Sequence, residues 1–212
     1  NIHIKHIFKY TIVLYNNFMT YQLAVKYRPQ SLDDVVGQDV VVKILKNAIK
    51  NDKLGSAIIF TGIRGTGKTS LARIIAKTIN CETGGVVPCG VCASCINFGK
   101  NSNLDILEID AASNTGVDDI RVVIDSCQYK PAMSKYKVYI IDEVHMLSKS
   151  AFNAVLKTLE EPPSHVKFIF ATTEINKVPD TILSRCLRFD LKKIENQEMV
   201  SMLQHIITKE NI

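Results

Sequence analysis

The chain has 212 residues, 46% of them hydrophobic and 22% charged, a balance that excludes a disordered tail and provides enough apolar side chains for a core. The net charge of +5, from 26 basic against 21 acidic residues, is too mild to mark a nucleic-acid-binding surface by itself. Ten Gly and six Pro are spread along the chain, with no low-complexity tract and no internal repeat.

The first 20 residues stand apart: they carry Lys5 and Lys9, no acid, and no apolar run longer than the one from Ile12 to Tyr15. A membrane span needs roughly 20 apolar residues and a signal core about 7–15, so neither fits. Met19 opens the coherent segment, which makes residues 1–18 an expected upstream extension. A helix is predicted over 38–50, with Val41, Ile44, Leu45 and Ala48 as its apolar stripe. The short apolar run 57–60 suits a buried parallel strand. A helix follows over 68–80, with Leu71, Ile74, Ile75 and Ile79 on its buried side. After a cysteine-rich insert come an alternating strand over 104–109 and a helix over 117–126. The run 138–141 is a further strand, and the helix over 150–159 stops before Pro162-Pro163. Strands at 166–171 and 187–191 follow, and an amphipathic helix begins near Ile194. Strands alternating with helices imply right-handed crossovers and a parallel sheet covered on both faces.

Gly62-Ile63-Arg64-Gly65-Thr66-Gly67-Lys68-Thr69 fits the phosphate-binding pattern G-x-x-x-x-G-K-[ST] in full, between a predicted strand and a predicted helix. The glycines let successive N–H groups turn inward around phosphate oxygens, and the helix N-terminus adds favourable potential. Lys68 would reach the β- and γ-phosphates, the Thr69 hydroxyl would hold Mg²⁺, and Ser70 completes the nucleotide-binding set. The apolar strand ending in Asp142-Glu143 supplies the complement. Asp142 would hold Mg²⁺ through water, and Glu143 would take a proton from the attacking water. Two acids after a strand are often a plain capping pair; the octet upstream is what gives these a function. The expected chemistry is nucleotide hydrolysis.

Cys81, Cys89, Cys92 and Cys95 fall among Gly84, Gly85, Pro88 and Gly90, the tight turns that a small metal loop needs. Four thiolates at this spacing suit a structural, tetrahedral Zn²⁺ with no open position for water. Disulfides and an iron–sulfur cluster are the competing readings. Cys127 and Cys186 stand outside the group and read as buried small residues.

Several segments occur together and in order: Ala24-Val25-Lys26-Tyr27-Arg28-Pro29, Val36-Gly37-Gln38, the octet, the cysteines and Asp142-Glu143-Val144-His145. Leu156-Lys157-Thr158-Leu159-Glu160-Glu161-Pro162-Pro163, Ala171-Thr172-Thr173 and Ser184-Arg185-Cys186 complete the series. From Met19 to the C-terminus the chain resembles the tau/gamma ATPase subunits of the bacterial DNA polymerase III clamp loader. The related delta-prime subunits share the zinc insert and Ser-Arg-Cys but typically have a degenerate P-loop. The resemblance implies a P-loop ATPase domain of AAA+ type over 19–192, with a zinc insert at 81–95 and the start of a truncated helical lid at 193–212. It further implies that Arg28 and Val36 border the adenine and that Thr173 senses the γ-phosphate. Arg185 would be an arginine finger entering a neighbouring subunit's ATP site. The implied partners are delta, delta-prime and further tau/gamma copies, the sliding clamp and primer–template DNA, in the cytoplasm.

Two weaker signals are read plainly. His145 is expected to support or pack rather than to bind metal. The loop Ala111-Ala112-Ser113-Asn114-Thr115-Gly116 is read as a helix cap, with contact to DNA phosphate as the sharper alternative. A non-hydrolysing delta-prime-like scaffold and a DNA-translocating AAA+ motor are the functional alternatives. A nucleic-acid-binding cysteine loop lacks interleaved basic and aromatic residues, having only Phe98 and Lys100 nearby.

Overall fold

The computed structural model describes residue 23 and residues 25–99, 102–113 and 116–210. The expected upstream extension 1–18, the expected start at Met19, and Ala24, Lys100, Asn114 and Thr115 lie outside the described residues.

Five strands, β1 (Ala57–Thr61), β2 (Ile106–Asp110), β3 (Lys137–Asp142), β4 (Val166–Thr172) and β5 (Leu187–Asp190), form one sheet in the order β2-β3-β4-β1-β5. Every pairing is parallel. Helices α1 (Asp39–Lys50), α2 (Lys68–Ile79), α3 (Ala93–Gly99), α4 (Val117–Ser126), α5 (Lys149–Glu160), α6 (Asp180–Leu183) and α7 (Asn196–Glu210) accompany them.

Alternation along each central strand divides the core into two layers. On one face Ile59, Tyr139, Ile141, Phe168 and Phe170 pack against Ile120, Val123, Phe152, Val155 and Ile182 of α4, α5 and α6. On the other, Ile58, Phe60, Val138, Ile140 and Ile169 meet Leu45 of α1, Leu71 and Ile75 of α2, and Leu32. Aromatic rings stack along the first face, with centroids 5.5 Å apart for Tyr139 and Phe168 and 5.8 Å for Phe168 and Phe170. Coverage on both faces explains why the central strands read as unbroken apolar runs. The edge strand β2 is only partly buried, and it is the strand whose sequence alternates.

The structure corrects several details. Ile44 is exposed; the buried stripe of α1 is built on Leu45 with Val41, Val42, Ala48 and Ile49, since positions 41, 45, 48 and 42, 45, 49 share one face. The edge strand begins at Ile106 rather than 104, because the buried Asp105 carboxylate accepts from Ala132 N, Met133 N and Ser134 N and leaves Leu104 exposed. Two helices are additional: α3, which begins at the end of the cysteine insert, and α6 before β5. α5 starts at Lys149, one residue before the predicted 150, with Ser148 Oγ accepting from Ala151 N at 3.2 Å.

Candidate nucleotide site and cysteine cluster

The chain leaves β1 at Thr61 and turns at once. A Cβ at Gly62 would lie 2.7 Å from the carbonyl oxygen of Leu191, whose own N–H donates to Thr61 O at 2.7 Å, so only glycine fits there. Gly67, with φ +91°, swings the loop into α2 and caps its N-terminus. Ile63, Arg64 and Gly65 form the exposed crest of the loop; Thr66 is buried and its hydroxyl donates to Ile63 O at 2.9 Å.

Lys68 is buried, and its Nζ donates to the carbonyls of Gly62 (2.9 Å) and Ile63 (3.0 Å), so the cation lies across the mouth of the loop. Burial pulls its ammonium below the ordinary lysine value, against Glu143 and Asp142, which act in the other direction. Thr69, one residue on, donates its hydroxyl to Asp142 Oδ2 at 2.5 Å. Ser70 is half-buried in the first turn of α2. Thus Lys68, Thr69 and Asp142 converge at the carboxyl ends of β1 and β3, where parallel sheets carry their ligands. Hydroxyl and carboxylate oxygens side by side are the hard donors that Mg²⁺ takes.

Glu143 adopts a left-handed backbone, φ +46°, uncommon for a residue other than glycine. Its Oε2 accepts from Thr173 N (3.0 Å) and Thr173 Oγ1 (2.9 Å), so Thr173 joins the site from the end of β4. Val36 is half-buried beside Gly37 and Gln38, which close onto the segment after β5: Gln38 Nε2 donates to Lys192 O at 2.7 Å. Arg28 is exposed, and no hydrogen bond among the described residues ties its side chain to the P-loop.

Arg185 lies elsewhere. It precedes β5, and Leu187 is in register with Ile58, whereas the P-loop follows the far end of β1. At about 3.3 Å per residue, the length of a strand separates them, roughly 16 Å. Its guanidinium donates to Glu160 Oε1 at 2.8 Å and to Thr181 O at 2.7 Å, and the side chain stays one-third exposed.

Residues that sequence reasoning left out of the site surround Glu143. Thr172 Oγ1 lies 2.9 Å from His145 Nδ1, and Glu174 is on the other side of the ring. The Ala-Thr-Thr step was the visible signal for Thr172 and Asp142-Glu143-Val144-His145 that for His145, which was expected to support or pack; Glu174 had none. A cleft of about 580 Å³, lined by Arg73, Phe98, Asn103, Ile106, Glu108, Asp110 and Asp142, opens between α2, α3 and the β2 edge.

The four sulfurs of Cys81, Cys89, Cys92 and Cys95 all lie within 4.8 Å of one another, and none is in a disulfide. Tetrahedral sulfurs about 2.3 Å from one ion would be about 3.8 Å apart, so the group fits a single Zn²⁺. Cys81 Sγ accepts from Cys89 N at 3.2 Å and Cys89 Sγ from Cys92 N at 3.3 Å. The N–H groups of Val91 and Cys92 draw the Cys89 thiol down to about 6, whereas burial pushes Cys95 up to about 12. A dication among the sulfurs would supply the charge that favours thiolate at Cys95. Cys127 and Cys186 are away from this group; both are held above the ordinary thiol value by burial, Cys186 at about 12.

Comparison with known proteins gives the family and the fold. The family model described as DNA polymerase III, delta subunit, matches residues 37–195. The tau subunit of DNA polymerase III from Salmonella typhimurium is 53% identical over 92% of this chain and 30% of its own length. The tau subunit from Bacillus subtilis is also 53% identical, over 92% of this chain and 35% of its own. A gamma subunit from Buchnera aphidicola is 48% identical over 90% of this chain and 52% of its own. The chain therefore spans between about a third and about half of these relatives. Among solved structures, the Thermotoga maritima RuvB Holliday junction branch migration motor superposes with a TM-score of 0.64 at 20% identity, covering 88% of this chain and 55% of that one. That likeness speaks for the fold alone, a parallel five-stranded sheet flanked by helices. The family model carries the delta name, but relatives at half identity carry the tau/gamma name. The chain belongs to the clamp-loader subunits of DNA polymerase III, and within them to the tau/gamma family.

Proposed function

We propose that this chain is an ATP-hydrolysing segment of a clamp-loader subunit, in which ATP binding and hydrolysis open a sliding clamp and load it on primer–template DNA. The observation that carries the reading is the 2.5 Å approach of Thr69 Oγ1 to Asp142 Oδ2 beside the buried Lys68. Two oxygens from separate motifs meet where a P-loop enzyme holds its metal. ATP would lie along residues 62–70, its phosphates on the loop N–H groups and on Lys68 after that cation leaves the Gly62 and Ile63 carbonyls. Arg28 and Val36 would border the adenine. Mg²⁺, held by Thr69 and Asp142, would neutralise charge on the β- and γ-phosphates. Glu143 would accept the proton of the attacking water, and Thr173 would sense the γ-phosphate.

Arg185 would act in a neighbouring subunit, because the length of the sheet separates it from its own loop. A guanidinium suits charge spreading over transferring phosphate oxygens. Residues 19–192 would form the ATPase domain. Cys81, Cys89, Cys92 and Cys95 would hold a structural zinc that fixes the 81–95 insert. Residues 193–212 would begin a helical lid, supported by the exposed Val200, Leu203 and Ile207 on α7, an apolar face for further chain to cover. Delta, delta-prime, further tau/gamma copies, the clamp and DNA are the partners in this reading. The setting is the cytoplasm; among the described residues no helix is long and apolar enough to cross a membrane.

The test is ATP hydrolysis with and without partner subunits, clamp and primed DNA, with weak activity alone and strong stimulation in the assembly as the expected result. Full activity in a dilute monomer would contradict the shared site. The delta name of the matching family model favours one rival, a scaffold that binds nucleotide without hydrolysing it. Unchanged turnover in Glu143→Gln would support that scaffold, and strand displacement would support a translocating motor.

A further inference from the structure

One buried polar side chain beside the site remains without a role. The His145 side chain is only 5% exposed, and both of its ring nitrogens face oxygen. Nδ1 lies 2.9 Å from Thr172 Oγ1 and 3.3 Å from Glu143 Oε2, and Nε2 lies 3.3 Å from Glu174 Oε1. The ring is itself fixed from two sides. Thr172 is fully buried and its hydroxyl also accepts from Glu174 N at 3.0 Å, while the Glu174 carboxylate is anchored by Lys177 at 2.9 Å. Each ring nitrogen is met by oxygen, as a buried polar ring requires, and one of those oxygens belongs to the Glu143 carboxylate.

Resting on the hydrolytic reading of Glu143, we propose that His145 is a positioning residue for that glutamate. The oxygen beside the ring, Oε2, is the one that accepts both bonds from Thr173. Thr173 and His145 therefore bracket the carboxylate from β4 and from the turn after β3. Glu143 also keeps a left-handed backbone, φ +46°, a conformation that surrounding contacts must hold in a residue other than glycine. Without the ring, the Glu143 carboxylate keeps its Thr173 partners but loses the wall that stops it turning away from the phosphate side. Misplacement of a proton acceptor by about 1 Å is enough to slow a reaction up to roughly a hundredfold.

The experiment measures steady-state hydrolysis by the full-length subunit in its assembly with partner subunits and primed DNA, alongside ATP·Mg²⁺ affinity and melting temperature. His145→Ala is expected to lower kcat roughly tenfold to a hundredfold with KM and affinity unchanged. His145→Asn, which returns a polar group on the Nδ1 side, is expected to recover most of the rate. Thr172→Val removes the hydroxyl that fixes the ring and is expected to reproduce the kcat loss, so the proposal stays testable if the alanine variant folds poorly. In a Glu143→Gln background His145→Ala should add nothing. Unchanged kcat in a folded His145→Ala variant would overturn the proposal, as would loss of affinity in step with rate, failure of asparagine to rescue, or an undiminished effect beside Glu143→Gln. Normal turnover in Glu143→Gln alone would instead overturn the hydrolytic reading beneath it.

Discussion

The candidate nucleotide site and the cysteine cluster are built in opposite ways. The four cysteines lie within 15 residues and are brought together by turns, a short helix and their own backbone N–H···S bonds. The nucleotide site draws on residues as far apart as Thr69 and Asp142, 73 positions from each other, and the sheet alone holds them in place. One region is local, with its sulfurs spaced for an ion; the other is non-local and needs the core. Disturbing the core should therefore destroy the second, while removing the ion should loosen only the first.

Four measurements can break or sharpen that contrast. The largest effect is expected for Arg185→Ala, which should reduce stimulated hydrolysis in the assembly by about 10³- to 10⁵-fold. Mixing with copies that retain Arg185 should restore hydrolysis at sites facing an intact neighbour; a loss confined to the variant's own site would break the in-trans assignment. Next, Glu143→Gln should lower kcat by about 10²- to 10⁴-fold while ATP·Mg²⁺ binding persists, measured by single-turnover hydrolysis and by nucleotide titration. Third, chelation should make the thiols of Cys81, Cys89, Cys92 and Cys95 open to alkylation and leave Cys127 and Cys186 protected, since burial holds both as thiols. Nucleotide affinity should change by no more than about twofold, within the scatter of distant, independent sites; a larger loss would mean the two regions are coupled.

The smallest effect concerns Asp105. Burial by itself would raise this carboxyl, but N–H donors from Ala132, Met133 and Ser134 outweigh it and hold the group below its ordinary value. A depressed folded value contributes stability that is complete above the unfolded carboxyl value near about 3.9 and is lost as pH falls through the folded one. Asp105→Asn should therefore cost about 1–3 kcal/mol at neutral pH and progressively less as the medium is acidified below that range. Denaturant melts at both pH values measure it, and an equal cost at low pH would contradict the assignment.

Much of the fold was legible because burial leaves a mark on sequence. β1, β3 and, from Phe168 on, β4 are covered on both faces and read as apolar runs; β2 is an edge and reads as alternating. Ile44 was misplaced because a residue at i+3 from Val41 satisfies the helical period, yet the face that docks is centred a residue further round, on Leu45. α3 and α6, of 7 and 4 residues, are too short to show a period. The bracket around Glu143 was hidden for another reason. Thr173 lies 30 positions from it, and His145 meets Thr172 across 27, separations that local patterns do not reach.

By itself, the sequence determined the local chemistry: a glycine-rich turn ending in Lys68-Thr69, an acid pair closing an apolar strand, and four cysteines at metal-binding spacing. Turns, caps and short ligand loops depend on neighbouring residues, so their signals survive in a linear reading. Only the tertiary structure decided that Asp142 meets Thr69, that His145 faces Glu143, and that Arg185 stands at the opposite end of the sheet from its own P-loop. Those relations follow from strand order and register in a parallel sheet, where each pairing joins segments separated by a whole crossover and is selected by packing of both faces at once.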